Sequence, residues 1–63
     1  MKIIIDIWAG ENSQEWIARY IRDVDDCFDI VKMELQQGNL VNLRQEADFG
    51  DYEEYDSRKK TVQ

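Results

Sequence analysis

The sequence predicts a small α+β domain of β-α-β-β order, with one helix packed on a three-stranded sheet. Three observations lead to this prediction: an isoleucine-rich start, a segment whose apolar residues have helical spacing, and two alternating runs around Gly38-Asn39. The 63 residues are enough for one domain. A domain this short buries only about 60% of the surface that its unfolded chain exposes, so further stability would come from a partner or a second copy.

The first predicted strand covers residues 2–8. Side chains alternate between the two faces of a strand, so the isoleucines at odd positions would share one face. Ile4 and Trp8 would lie on the other face, on either side of Asp6. Since both faces are largely apolar and β-branched residues favour strands, the pattern predicts a central strand.

The second predicted element is a helix over residues 13–24. Its apolar residues recur at the three- and four-residue spacing that places side chains on one side of a helix. Asn12 would be the N-cap, and Glu15 would complete a capping box. A helix between two strands implies a right-handed crossover, which would make the first strand parallel to the strand that it pairs with. The apolar stripe consists of Trp16, Ile17, Tyr20, Ile21 and Val24.

The chain after this segment permits two interpretations. Alternating apolar and polar residues predict strands over 28–36 and 40–49, joined by a hairpin at Gly38-Asn39. Alternatively, the helical spacing continues, and one long helix over 13–37 ends with Gly38 as its C-cap, before a C-terminal strand. We favour the hairpin, because three strands bury an apolar first strand better than two.

The domain is expected to cover residues 1–50, followed by a C-terminal tail over 51–63 that is acidic and aromatic at first and then basic. The tail has few apolar residues besides two tyrosines, so we expect a loosely held segment or a short terminal helix. The net charge is −6, from 14 acidic and 8 basic residues. This sign disfavours binding to nucleic acid or an anionic membrane and favours a basic protein surface as partner.

No set of residues predicts catalysis, so we do not expect an enzyme. The chain has no histidine, and the usual general base at neutral pH is therefore missing. Asp6 is the best acid–base candidate, but its more ordinary role is to cap a backbone group or to face an exposed patch. Cys27 has Asp25, Asp26 and Asp29 near it in sequence, and these carboxylates disfavour a reactive thiolate. We expect Cys27 to be a small buried side chain.

Cofactors and metals are not expected either. The segment 23–29 is dense in carboxylates but lacks the spacing of a calcium-binding loop. No apolar run approaches the length of a transmembrane helix or has the form of a signal peptide. A lone cysteine forms no internal disulfide, so the expected location is the cytoplasm.

The candidate partner-binding residues lie in two acidic segments. Tyrosine offers a large contact area at a low cost in conformational entropy, and carboxylates spaced over a surface can imitate the phosphates of a nucleic acid. The first segment contributes Asp51, Tyr52, Glu53, Glu54, Tyr55 and Asp56, and the second contributes Asp25, Asp26 and Asp29.

In size, acidity and lack of catalytic residues, the chain resembles the small acidic proteins of bacteriophages and mobile elements. The resemblance is one of composition and includes no shared motif. It implies an interaction module, such as an inhibitor or regulator that mimics nucleic acid and docks on a nucleic-acid-binding protein. A second hypothesis is a structural or assembly protein, a homodimer that buries Ile4 and Trp8 against its mate. A small metal-binding protein is the third.

Overall fold

A computed structural model of the chain describes residues 1–10, 15–45 and 53–59. These residues form a small α+β fold, with one α-helix and a four-stranded antiparallel sheet. The elements in chain order are β1 (Lys2–Trp8), β2 (Trp16–Asp23), α1 (Cys27–Gln36), β3 (Leu40–Gln45), β4 (Tyr55–Asp56) and a 3₁₀ turn (Ser57–Lys59). The strand order is β3-β1-β2-β4, so β1 is a central strand as predicted.

β1 and β2 are adjacent antiparallel strands whose register determines the two faces of the sheet. Ile5 lies opposite Tyr20, and Ile7 lies opposite Ala18. The register shifts after Ile7, where Ile17 is an extra residue on β2. Residues that lie directly opposite each other share a face, so the odd-numbered isoleucines join Ala18 and Tyr20 on one side of the sheet.

The hydrophobic core lies between this side of the sheet and α1. Cys27, Ile30 and Val31 point inward from α1, at the three- and four-residue spacing of one helix face. The prediction of a buried Cys27 is confirmed, and its thiol donates a hydrogen bond to the Val24 carbonyl oxygen at 3.4 Å. The buried members of the core are Ile5, Ile7, Ala18, Tyr20 and Cys27, and Ile3, Ile17, Ile30, Val31 and Val41 pack against them.

The predicted helix over 13–24 is wrong, because Trp16–Asp23 forms β2. Its apolar residues serve both faces of a strand: Tyr20 faces the core, and Ile21 lies opposite Ile4 on the other side. Tryptophan, isoleucine and tyrosine also favour strands, and β2 gives hydrogen-bond partners to one edge of the apolar β1. The predicted N-cap, Asn12, lies outside the described residues.

The predicted strand over 28–36 is also wrong, because this segment belongs to α1. The alternation of apolar and polar residues was misleading, because two of the apolar side chains do not face the core: Met33 and Leu35 are 44% and 56% exposed. Gly38 ends the helix with φ +84° and does not form a hairpin. The alternative long helix over 13–37 was therefore right for Cys27–Gln36 and for Gly38, and wrong for the segment that forms β2.

The predicted parallel pairing of the first strand is wrong as well, since β1 is antiparallel to both β2 and β3. The predicted strand over 40–49 is confirmed over Leu40–Gln45, and 46–49 lies outside the described residues. The sheet has a fourth strand, Tyr55–Asp56, within the segment assigned to the tail. Four antiparallel strands therefore replace the predicted three.

The end of β1 meets the turn between α1 and β3 at two glycines. A Cβ atom at Gly10 would overlap the carbonyl oxygen of Gly38, so a side chain fits there only if the backbone moves. The backbone N–H of Asn39 donates to the Glu34 carbonyl oxygen at 3.0 Å in the same turn. Close approach of the two chain segments thus positions the end of α1 beside β1.

Candidate functional site

The sheet face opposite α1 carries a cluster of aromatic and charged side chains, which we call the aromatic face. The strand register brings these residues together: Trp8 lies opposite Trp16, and Asp6 lies opposite Arg19. Arg19 in turn lies opposite Tyr55 of β4. All four strands contribute to this surface. The aromatic face consists of Asp6, Trp8, Trp16, Arg19, Arg44 and Tyr55.

Asp6 is the buried centre of the aromatic face, and the residue is 5% exposed. Its Oδ1 atom accepts hydrogen bonds from Trp16 Nε1 at 3.1 Å and from Arg19 Nε at 2.7 Å. Its Oδ2 atom has a longer contact of 3.5 Å with Arg44 Nη2, at the outer limit of a hydrogen bond. Asp6 therefore neither caps a backbone group nor faces an exposed patch. It positions the indole of Trp16 and the guanidinium of Arg19.

The aromatic rings of this face are partly exposed and held in place. Trp16 stacks on Tyr55, with ring centroids 5.3 Å apart and an interplanar angle of 23°. The Arg19 Cζ atom lies 5.3 Å from the centroid of the Trp16 ring, a cation–π contact. Trp8 and Trp16 are each 37% exposed, and Tyr55 is 47% exposed. Exposed, preorganised aromatic residues are typical of the energetic centre of a protein interface.

A cavity of about 440 Å³ opens on the aromatic face and is lined by Asp6, Trp8, Trp16 and Arg19. Its lining combines two indole rings with one carboxylate and one guanidinium group. Apolar walls with a few polar groups are typical of sites that bind a small ligand or a single side chain. The cavity is therefore a candidate for the recognition of a planar or cationic group.

The other side of the sheet carries a second carboxylate centre, which we call the Glu34 network. Glu34 is fully buried. Arg58 donates to it through Nη1 at 2.9 Å and Nη2 at 2.8 Å, a bidentate pair. Asn39 Nδ2 donates to the same carboxylate at 2.9 Å. Arg58 also donates to Asp56 through Nε at 2.9 Å and Nη2 at 3.1 Å, and the Tyr20 hydroxyl donates to Asp56.

The Glu34 network shifts the pKa values of its members. Hydrogen bonding from Arg58 lowers the pKa of Asp56 to about 2 and also lowers the pKa of Glu34. The same bonds, first to Glu34 and then to Asp56, raise the pKa of Arg58. Burial, followed by the hydrogen bond to Asp56, raises the pKa of Tyr20 to about 12. The network therefore keeps its charges across the neutral range and fastens the 3₁₀ turn to α1 and β2.

The residues predicted for the first acidic segment lie in different settings. Glu53 and Glu54 are exposed, and Glu54 Oε2 accepts a hydrogen bond from the backbone N–H of Ile21 at 3.0 Å. Glu54 also pairs with the Arg22 guanidinium. Tyr55 belongs to the aromatic face. The structure thus places Glu54 and Tyr55 against β2, and Glu53 precedes them in the chain.

Asp56 differs from its neighbours, because its side chain is only 7% exposed and is bonded within the Glu34 network. Its carboxylate is therefore used inside the chain. Asp51 and Tyr52 lie outside the described residues. Among the described residues of the first acidic segment, Glu53, Glu54 and Tyr55 are exposed.

The residues of the second acidic segment are all exposed. Asp25 lies in the turn after β2, Asp26 is the N-cap residue of α1, and Asp29 lies in the first helical turn. The helix dipole favours negative charge at this end. β4 is antiparallel to β2, so residues before Tyr55 lead towards the end of β2, about 13 Å along the strand from Arg19. Of the first segment, Glu54 contacts Ile21 and Arg22 near the end of β2, and Asp25 and Asp26 follow that end along the chain.

Sequence reasoning did not assign Trp16, Arg19 or Arg44 to a binding site. Trp16 and Arg19 were placed on a helix, where they would not lie opposite Trp8 and Asp6. A strand interpretation of Trp16–Asp23 would have identified them, because antiparallel pairing with β1 brings both residues to the same face.

Within the ranges that the structure describes, no helix is both long enough and apolar enough to span a bilayer. In the same ranges, no group of three or more histidine, cysteine or acidic side chains is arranged to hold a metal ion. Comparisons of the chain with known protein families, curated proteins and solved structures found no significant match.

Proposed function

We propose that this protein is an interaction module that docks on a basic protein surface. The observation that carries the proposal is the stacking of Tyr55 on Trp16, at 5.3 Å between ring centroids. Glu53 and Glu54 are exposed and directly precede Tyr55 in the chain, so two carboxylates adjoin the strand that carries this exposed ring. Acidic residues next to anchored aromatic residues form the combination that an interface with a basic partner needs.

The two parts of this surface have different physical roles. The net charge of −6 attracts a basic partner at long range and raises the association rate. The aromatic rings act only at short range, where burial of apolar area and stacking supply most of the binding energy. Glu53 would pair with basic side chains at the rim, where single ion pairs contribute little to affinity, whereas Glu54 already pairs with Arg22 and adds to the overall negative charge.

A more specific form of the proposal is mimicry of nucleic acid, with an inhibitor or regulator docking on a nucleic-acid-binding protein. It is supported by exposed carboxylates on the segment before Tyr55 and around the start of α1. A groove that binds phosphates would attract such a surface by the same electrostatic force. Direct binding to nucleic acid is disfavoured by the same charge.

A titration with hexalysine peptide, followed by isothermal calorimetry, tests the docking proposal. We expect binding to weaken at least tenfold between 50 mM and 500 mM NaCl, because salt screens exposed charges. The double variant Glu53→Gln/Glu54→Gln should bind more weakly than the wild type. Glu→Gln retains a hydrogen-bond acceptor for the backbone of β2.

The variant Asp25→Asn/Asp26→Asn removes the same charge farther from the aromatic rings and is the matched control. We expect it to cause a smaller loss of affinity. Equal losses in both double variants would show that overall charge, and not this surface, attracts the peptide. Salt-independent binding would contradict the electrostatic account altogether.

A second candidate function, assembly through a second copy of the chain, is favoured by β3. This strand lies at one end of the strand order found among the described residues, and its Leu40 and Leu43 are 51% and 42% exposed. Edge strands with exposed apolar residues tend to pair with other strands. Ile4 is fully buried within a single chain, so it does not offer the contact first expected of it. Sedimentation showing a strict monomer at micromolar concentration would exclude this candidate.

A further inference from the structure

We propose that the cavity lined by Asp6, Trp8, Trp16 and Arg19 is a specificity pocket for an arginine side chain of the partner. The inference rests on the proposed function, because it assumes that the partner surface is basic. It adds a chemical preference that overall charge does not provide. Net charge attracts lysine and arginine equally, whereas this pocket would distinguish them.

The aromatic walls are suited to a guanidinium group. The Trp16 ring already accepts one from within the chain, since Arg19 Cζ lies 5.3 Å from the ring centroid. Trp8 lies opposite Trp16 in the sheet and is 37% exposed. Among the described residues, no cation is placed over the Trp8 ring, so an incoming guanidinium could stack there.

The carboxylate of Asp6 offers a second point of recognition. Its Oδ1 atom is engaged by Trp16 and Arg19, whereas Oδ2 has only the 3.5 Å contact with Arg44 Nη2. A charge-assisted hydrogen bond is normally 2.7–2.9 Å long, so this contact is weak. An incoming guanidinium that stacks on Trp8 could donate a shorter bond to Oδ2.

Arg19 and Arg44 are positive charges that oppose the entry of another cation. Arg19 is engaged by Oδ1 at 2.7 Å and stacks on Trp16, so it forms part of the pocket wall. The Arg44 side chain contacts Oδ2 at the longer distance of 3.5 Å, so a guanidinium that donates to Oδ2 at 2.7–2.9 Å would displace this contact. Arg44 is therefore the internal competitor for Oδ2, and its removal should improve binding.

The preference for arginine over lysine follows from shape. A guanidinium is planar, stacks on an indole, and donates through a rigid fork to a carboxylate. An ammonium is a compact and more strongly hydrated charge, which gives up more hydration when it enters an aromatic site. A cation–π contact of ordinary strength contributes about fivefold to affinity, and lysine retains part of it, so about fivefold is the upper limit of the preference.

The test compares hexa-arginine with hexalysine, two peptides of the same length and side-chain charge, by calorimetric titration of the full chain. We expect the wild type to bind hexa-arginine about two- to fivefold more tightly. Trp8→Ala should reduce this ratio to about one, with hexalysine affinity nearly unchanged. Phe28→Ala is the matched control, because Phe28 is an aromatic residue of α1 that is 62% exposed and does not line the cavity.

A further variant, Arg44→Gln, removes the internal competitor. It should tighten binding of hexa-arginine by more than it tightens binding of hexalysine, since loss of a positive charge alone affects both peptides equally. Circular dichroism of each variant checks that the fold is retained.

The outcomes separate the pocket from the proposed function. A ratio of one in the wild type, or a ratio that survives Trp8→Ala, would overturn the pocket. Salt-dependent binding of hexalysine would then still support docking on a basic surface. If neither peptide binds, both the proposed function and the pocket are wrong. A ratio that falls in Trp8→Ala but persists in Phe28→Ala supports the pocket.

Discussion

The two sides of the sheet each hold a buried carboxylate beside arginine, and the two centres are built differently. Glu34 receives a bidentate pair from Arg58 at 2.8 and 2.9 Å and a third bond from Asn39. Asp6 has short bonds to one oxygen and only a 3.5 Å contact to the other. The first centre is closed by groups of the chain itself, whereas the second leaves one carboxylate oxygen with a single long contact.

The groups around the two carboxylates also differ in how fully they are bonded within the chain. Arg58 also joins Asp56 and Tyr20, so the Glu34 network connects α1, β2 and the 3₁₀ turn. A cavity of about 340 Å³ borders this network, but its charged groups already pair with one another. The aromatic face instead presents partly exposed rings around its cavity. We infer that the Glu34 network stabilises the fold and that the aromatic face is available for recognition.

The largest expected effect is the loss of Arg58. In Arg58→Met, the fully buried Glu34 carboxylate would lose both bonds from its guanidinium partner. Breaking a buried ion pair from one side costs about 3 kcal/mol. A domain of this size has a free energy of unfolding of about 3–9 kcal/mol, so the variant should be largely destabilised. Urea denaturation followed by circular dichroism measures the loss.

The double variant Glu34→Met/Arg58→Met controls for the missing charge. Replacing both members of the pair by apolar side chains removes the unpaired carboxylate and should recover much of the stability. Asp56 would still lack its guanidinium partner, so full recovery is not expected. If Arg58→Met costs less than about 1 kcal/mol, the Glu34 network does not stabilise the fold as described.

The next effect is a loss of stability in acid. The pKa of Asp56 falls from 3.8 to about 2 on folding, and the pKa of Glu34 falls below 4.5. Groups with a lowered pKa stabilise the folded state above their unfolded pKa, and this contribution disappears as they are protonated. The free energy of unfolding should therefore decrease as the pH falls from about 4.5 towards 2. Urea midpoints measured at several pH values provide the test.

Tyr20 predicts a loss of stability at high pH. Its pKa rises from 10.0 to about 12 on folding, so its contribution is complete below pH 10 and is lost as the pH rises towards 12. The variant Tyr20→Phe retains the buried ring and lacks the hydroxyl, so it should lose this alkaline dependence. An unchanged alkaline profile in Tyr20→Phe would show that another group is responsible.

The strand β1 could be predicted because its apolar residues occupy both faces, as expected of a central strand that is covered on both sides. β2 could not be distinguished from a helix, since its apolar residues also serve both faces and lie at three- and four-residue spacing. The favoured interpretation missed α1 because the alternation of apolar and polar residues over 28–36 predicted a strand, although the aspartates near its start suit the beginning of a helix. Those at positions 25, 26 and 29 precede the helix or lie in its first turn, where negative charge is favourable.

The candidate site was harder to predict than the fold, because its contacts join distant parts of the chain. Asp6 meets Arg19 across 13 positions, and Glu34 meets Arg58 across 24 positions. Neither pair follows from local spacing. Tyr55 was identified from sequence because it lies among carboxylates, but its stacking on Trp16 depends on the pairing of β2 with β4.

The most direct test of the division between the two centres is to measure stability and hexa-arginine affinity together in Trp8→Ala and Arg58→Met. Trp8 is 37% exposed, so its removal should cost about 2 kcal/mol in stability, which leaves folded protein to titrate, and should abolish the preference for arginine. Arg58→Met should cost about 3 kcal/mol, and its folded fraction should retain that preference. Two results would contradict the assignment of stability to the Glu34 network and of recognition to the aromatic face. One is that Trp8→Ala unfolds the chain, and the other is that Arg58→Met removes the preference for arginine in folded protein.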